Sequence, residues 1–208
     1  MAIDIHRILK EFRAHEKARE KAERIINKLL SNCRSCVNLI HAKKFAYAKR
    51  SLEKAARSLK ELQKVIENFE ILKCWGQTTL SMQEYTEAYI LYHIITSAKI
   101  PSPHEIGVSS LPYILGCADV IGELRREVVN AVKDGDLKLA ERHFSFMEKL
   151  FSSLSQISFR DAIVPGFRHK MDVNRRLLED TRALIAEEYS RLRLIESLKS
   201  FQRRCENW

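Results

Sequence analysis

Residues 1–75 contain neither glycine nor proline, and their apolar positions recur at spacings of three and four, as on the buried stripe of a helix. Ile5, Leu9, Phe12, Ile25, Ile26, Leu29, Cys33, Val37 and Ile40 track one face of a first helix, predicted over about 3–40. Leu52, Ala55, Ala56, Leu59, Leu62, Ile66 and Phe69 track a second, over about 43–73, and Cys74-Trp75-Gly76 is its break. A third covers about 79–98 and ends before Pro101-Ser102-Pro103, because proline has no N–H to continue the ladder. The fourth starts near Ser110, carries Pro112 in its first turn and runs to Lys133. In "KDGD" (133–136), Gly135 suits a left-handed helix stop and Asp136 an N-cap. A fifth helix is predicted over about 137–155, and a last one over about 168–200 after an irregular piece with Pro165 and Gly166. No strand-like alternation occurs. The fold class is all-α, with six to seven mostly long helices in a single bundle-like domain over residues 1–208. Patterns longer than about 25 residues point to packing beyond one small bundle, so self-association is expected.

Composition narrows the function. The chain has 208 residues, 45% hydrophobic and 30% charged, a balance that supports a real core. No run approaches the roughly 18–20 apolar residues of a membrane span, and nothing resembles a signal peptide, so a cytoplasmic protein without membrane attachment is expected. The five cysteines are odd in number and scattered; Cys33 and Cys36 form a CxxC inside the first helix, with no second pair and no histidine partner. Two half-buried helix residues are the better reading than a metal or redox pair. Loops that cradle nucleotides or present a serine nucleophile are absent from the sequence. The net charge of +9 favours an anionic partner, nucleic acid first among them.

Two stretches break the helical pattern with acids. In "TTLSMQEYTEAYILYHIITSA" (78–98), at about 100° per residue, Glu84 and Glu87 fall within about 60° of one another. Leu80, Leu91, Ile94, Ile95 and Ala98 share their arc, whereas Gln83, Thr86, His93 and Ser97 form the expected solvated stripe. In "YILGCADVIGELRREVVN" (113–130), Asp119 and Glu123 lie one turn apart, with Arg126, Glu127 and Asn130 near the same line and apolar residues in most other directions. Gly116 and Gly122 are read as points of close helix approach. Carboxylates at this spacing on two helices are what an all-oxygen Mg²⁺ or Mn²⁺ site requires. Such ions activate water and neutralise charge on a phosphodiester. Spacing alone leaves the other reading open, surface glutamates in salt bridges.

Basic residues form stripes. Lys43, Arg50, Lys54, Arg57 and Lys64 line one side of the second helix, interrupted by Glu61. Arg168, Lys170, Arg175, Arg176 and Arg182 lie on the last helix, and Arg126 adjoins the second acidic line. Such faces can follow a phosphate backbone without reading its sequence. A solvated face balanced by Glu53, Glu61 and Glu179 is the alternative.

The segments "MQEYTEAYILYHI" (82–94) and "YILGCADVIGELRREVVNAVKDGD" (113–136), followed by "MEKLFSSLSQI" and "RHKMDVNRRLLEDTRALI", resemble the translin family over most of the chain, and in particular its translin-associated factor X branch. The resemblance implies an all-α fold of about seven helices that assembles into closed, barrel-like oligomers, octamers or hexamers, of one chain or with a translin-like subunit. It also implies a Mg²⁺-dependent endoribonuclease acting on single-stranded RNA, with single-stranded DNA as a further ligand. By matching position it makes Glu84, Glu87, Asp119 and Glu123 the metal-holding, catalytic set. The chain lacks a long insert between the third and fourth helices, and Glu127 stands where the pattern has an apolar residue, which would make the site more acidic. A non-catalytic nucleic-acid-binding scaffold of the translin kind is the competing class, and a helical protein adaptor the third.

Overall fold

The structure, a computed structural model, is described for residues 4–206. Its helices are α1 (Ile5–His41), α2 (Phe45–Ile66), α3 (Glu70–Lys73), α4 (Gly76–Ser97), α5 (Pro103–Ile106), α6 (Ser110–Lys133), α7 (Leu137–Leu154) and α8 (Phe167–Glu206), and no strand occurs among the described residues. The fold is all-α, as the periodicity implies. The count exceeds six or seven because two single-turn helices, α3 and α5, were not expected. The chain packs as two compact units, Met1–Cys117 and Ala118–Trp208, with α6 running across the boundary.

In the first unit α1 and α2 lie along one another, and α4 packs on both. Their core is Ala22, Ile26, Leu29, Cys33, Cys36 and Ile40 of α1 against Ala48, Leu52, Ala55, Leu59 and Leu62 of α2. The turn between them is closed by Lys43 N–H donating to the Ile40 carbonyl and Lys44 N–H to that of Leu39, with Lys43 left-handed at φ 56°. The second predicted helix stops early, at Ile66. Phe69 leaves helical geometry and sets its ring edge-on to His15, 5.0 Å between centroids, before α3 begins. The predicted apolar face of α1 also fails at its start: Ile5, Leu9 and Phe12 are exposed, and the core begins at Ala18. With 37 residues against 22 in α2, α1 outruns its partner by about 22 Å at 1.5 Å per residue.

The second unit carries α7 packed on α8, with Leu137, Ala140, Met147 and Leu150 facing Phe167, Met171, Leu178 and Ile185 as its apolar core. Gly135 is left-handed at φ 78°, and Asp136 accepts from Leu139 N–H at 2.9 Å, as the "KDGD" reading requires. Beyond Tyr189 the last helix is exposed, including Leu192, Leu194, Ile195, Leu198 and Phe201.

Candidate functional site

The polar groups of α4 explain where its acids lie. Thr78, Ser81, Gln83 and Thr86 are buried, so the expected solvated stripe of Gln83 and Thr86 is overturned; Ser97 alone of that set is exposed. Small hydroxyls can be buried here because each finds a nearby carbonyl: Thr78 donates to Leu72, Ser81 to Thr78 and Thr86 to Met82, all at 2.8 Å. The first turns of α6 approach the same face. A methyl on Gly116 would lie 2.7 Å from Thr86 Cβ and 2.8 Å from the Gln83 carbonyl oxygen, so only glycine fits. Gly122, read the same way from sequence, has nothing within 4 Å of that position.

Glu84 and Glu87 are half-buried on α4. Their negative charges reach Cys33 on α1: burial first, then Cys36, then Glu84 and Glu87 push the Cys33 thiol up. Burial takes Cys36 up to about 12. Both sulfurs therefore stay protonated at neutral pH, which favours packing over metal or redox use of the CxxC. His93 is half-buried, its Nδ1 2.9 Å from the Tyr89 carbonyl and its ring stacked on Tyr89.

In the second unit Asp119 and Glu123 are half-buried on α6. The Lys170 ammonium of α8 is seated on Asp119 Oδ1, a pair 51 residues apart in sequence. One turn further along α8, buried Asn174 donates to the Ala118 carbonyl at 2.9 Å. Glu127 is buried and accepts from Asn130 at 3.4 Å. His143 of α7 is buried, with Glu127 among the charges that act on it. The acid that the sequence places on the Asp119 line is thus buried, bonded to half-buried Asn130 and electrostatically felt by His143.

The carboxylate oxygens suit a hard divalent ion, and Asp119 already holds a cation, so the residues fit Mg²⁺ or Mn²⁺ in kind. The candidate ligands are Glu84 and Glu87 in the first unit and Asp119 and Glu123 in the second. Among the described residues, no group of three or more His, Cys, Asp or Glu side chains is placed to hold a metal ion.

The predicted basic stripe on α2 is exposed opposite the core. Arg50 lies 5.6 Å from the Tyr47 ring centre, Lys54 and Arg57 face solvent, and Lys64 with Lys60, Gln63, Glu67 and Lys73 edges a cleft of about 690 Å³. Lys43 is the left-handed turn residue before α2. Arg126, Arg168, Arg175 and Arg176 are exposed, Arg175 within 3.6 Å of Asp172, and Arg182 pairs with Glu148 at 2.8 Å. Arg182 and Lys170 both reach an acid of another helix, but the Arg182–Glu148 pair is exposed, whereas Lys170 is seated on half-buried Asp119. Sequence reading missed that pairing, and also Asn174 and His143, because partners on separate helices leave no local spacing.

The sequence profile described as the translin family matches residues 6–180. The chain is 34% identical over 190 residues to an uncharacterized protein of Methanocaldococcus jannaschii, covering 90% of this chain and 83% of that one. Among solved structures it is similar to AfC3PO in a complex with duplex RNA, with a TM-score of 0.85 and 28% identity over 90% of this chain and 97% of that one. It is similar to AfC3PO in a second crystal structure, with a TM-score of 0.83 and 29% identity over 90% and 98%. Apo-NeC3PO, at 21% identity and a TM-score of 0.79 over 90% and 98%, shares the fold. No helix among the described residues is long and apolar enough to cross a membrane.

Proposed function

The chain belongs to the translin family, and on that premise we propose that it is a metal-dependent endoribonuclease of the translin-associated factor X type. It binds RNA on its basic helix faces, holds Mg²⁺ or Mn²⁺ with Glu84, Glu87, Asp119 and Glu123, and works within a closed oligomer. The observation that carries this reading is two one-turn carboxylate pairs, each half-buried in a largely apolar helix, one of them already gripping a cation. A divalent ion would supply charge neutralisation and an activated water at the phosphodiester. The chain's own acids would hold and orient that centre, and Arg50, Lys54, Arg57 and Lys64 would retain the strand electrostatically. The AfC3PO complex with duplex RNA supports an RNA ligand and adds duplex beside the single strand as a substrate to be tried. The exposed apolar ends of α1 and α8, Phe12 and Leu194 to Phe201 among them, support assembly with further copies or a translin-like subunit.

The test uses labelled single-stranded and duplex RNA with Mg²⁺, with EDTA, and with an Asp119→Asn variant, alongside light scattering. Cleavage with Mg²⁺ that both EDTA and the substitution abolish is the expected result. Cleavage that survives both would sink the assignment. Salt-sensitive binding with no turnover under any divalent ion would instead establish the non-catalytic scaffold.

A further inference from the structure

The structure separates Lys170 from the basic residues with which its sequence position groups it. We infer that Lys170 is a positioning residue of the acidic site: its ammonium serves as a built-in counter-ion that holds the Asp119 carboxylate and competes with a divalent cation for it. This rests on the metal-site reading above and adds to it a residue outside the carboxylate set.

Three observations carry the inference. The pair joins α8 to α6 across 51 residues, unlike Arg19–Glu23, Arg175–Asp172 and Arg191–Glu187, which link neighbouring turns of one helix; Arg182–Glu148 also joins two helices, but its side chains are 62% and 45% exposed. The Lys170 and Asp119 side chains are 31% and 23% exposed, while those in the three local pairs are 43% exposed or more. Its position is also fixed by packing. Phe167, Met171, Asn174 and Leu178 are buried on the adjoining face of α8, and Asn174 grips the carbonyl of Ala118 beside Asp119. One stretch of α8 therefore holds both the backbone and the carboxylate of this point of α6.

The consequence is electrostatic. A cation in contact with a half-covered carboxylate must be displaced before that oxygen can serve a divalent ion, and what remains nearby repels the newcomer. Lysine suits that exchange, because its charge sits on a flexible four-carbon stem that can swing clear while Asn174 keeps the helix in place. An arginine would persist, since its planar fork pairs with a carboxylate through two bonds. Lys170 then contributes little to strand retention, and Arg168, Arg175 and Arg176 remain the exposed cations of that helix's first turns.

The experiment measures Mn²⁺ binding by the free-ion paramagnetic resonance signal in the full chain and in Lys170→Met, Lys170→Gln, Lys170→Arg and Asp119→Asn. Melting curves confirm that each protein is folded, and Lys170→Gln stands in should Lys170→Met melt early. Removing the ammonium should tighten Mn²⁺ roughly three- to ten-fold, the scale of a partly covered ion pair. Lys170→Arg should not tighten it, and Asp119→Asn should abolish it. RNA binding in EDTA should keep its salt dependence in Lys170→Met, whereas loss of a phosphate contact would lower the salt slope by about one. Unchanged or weaker Mn²⁺ binding in Lys170→Met, where Asp119→Asn still abolishes it, overturns the inference and leaves the metal site standing. A salt slope reduced by about one also overturns it, making Lys170 a phosphate contact. Absence of Asp119-dependent Mn²⁺ binding in every protein overturns both.

Discussion

In the first unit the buried hydroxyls of Thr78, Ser81 and Thr86 each donate to a carbonyl no more than six residues away. In the second, Asp119 and the carbonyl of Ala118 are met by Lys170 and Asn174, more than fifty residues away on another helix. Both units carry polar groups in helices that are largely apolar, but one satisfies these three within the local chain and the other through tertiary structure. A self-contained polar group leaves its helix free to be packed from several sides, as α4 is. A group satisfied from another helix fixes the register of two elements and is exposed to mutation at either end. Glu84 and Glu87 lie in the first unit and Asp119 and Glu123 in the second, and substitution should tell the two units apart.

The largest expected effect is on RNA cleavage. Under the proposed function, Glu87→Gln and Asp119→Asn should each lower the Mg²⁺-dependent rate by roughly a hundred-fold or more, since each would remove a proposed anionic ligand. Asp119→Asn also strands the Lys170 ammonium, so it should cost on the order of 1 kcal/mol of stability as well. Adding Lys170→Met to Asp119→Asn should restore that stability without restoring the rate. An additive loss of stability in the double variant would show that the pair is not coupled.

Next come the groups that bridge helices. Asn174→Ala removes a buried donor to the Ala118 carbonyl and should cost about 1–3 kcal/mol in urea unfolding. Thr86→Val removes only a hydroxyl bonded within its own helix and should cost under about 1 kcal/mol. Equal losses would erase the distinction between the units. Gly116→Ala belongs with the costly changes at about 1–3 kcal/mol, because its methyl would meet Thr86 Cβ at 2.7 Å.

These contrasts show which features could be read from sequence. The long helices follow from period, and the "KDGD" junction from turn chemistry, because each is decided within a few residues. The acids of Glu84, Glu87, Asp119 and Glu123 are legible as charge set into apolar helices. The environment of those acids is not. Thr86 looks solvated on a helical wheel, since the wheel cannot tell a hydroxyl facing water from one folded onto its own carbonyl. Beyond the early end of α2, Phe69 meets His15 of α1, and Phe12 is exposed on the part of α1 that outruns α2, contacts between helices that a wheel does not contain. Lys170 reads as one more basic residue until the fold sets it against Asp119.

His143 provides a smaller effect, confined to the second unit. Burial, the dominant cause, lowers its pKa below the ordinary 6.5; Glu127 and Asp136 raise it and Arg142 lowers it further. The folded chain thus prefers the neutral ring. Its contribution to stability is complete above about pH 6.5 and is lost as pH falls toward the lowered folded value, where the unfolded chain binds the extra proton first. Melting temperature should decline between pH 7.5 and 5 more steeply in the native chain than in His143→Gln. Parallel curves would remove His143 from that role.

The smallest expected change is a gain. Gly122 sits inside α6 with nothing within 4 Å of the place a methyl would take, so Gly122→Ala meets no steric cost within the chain. Replacing a helix-interior glycine reduces the freedom of the unfolded chain and should add about 0.5–1 kcal/mol. At roughly 2–4 °C per kcal/mol for a chain of this size, that is a rise of about 1–4 °C in melting temperature. Gly116, six residues earlier on the same helix, should respond with the opposite sign, although the sequence presents both as glycines in an apolar helix. A loss at Gly122 would place another surface over that position, as a second copy of the chain would. Repeating the melt across protein concentrations separates those cases, because a gain from chain entropy is independent of concentration and a clash at an interface is not.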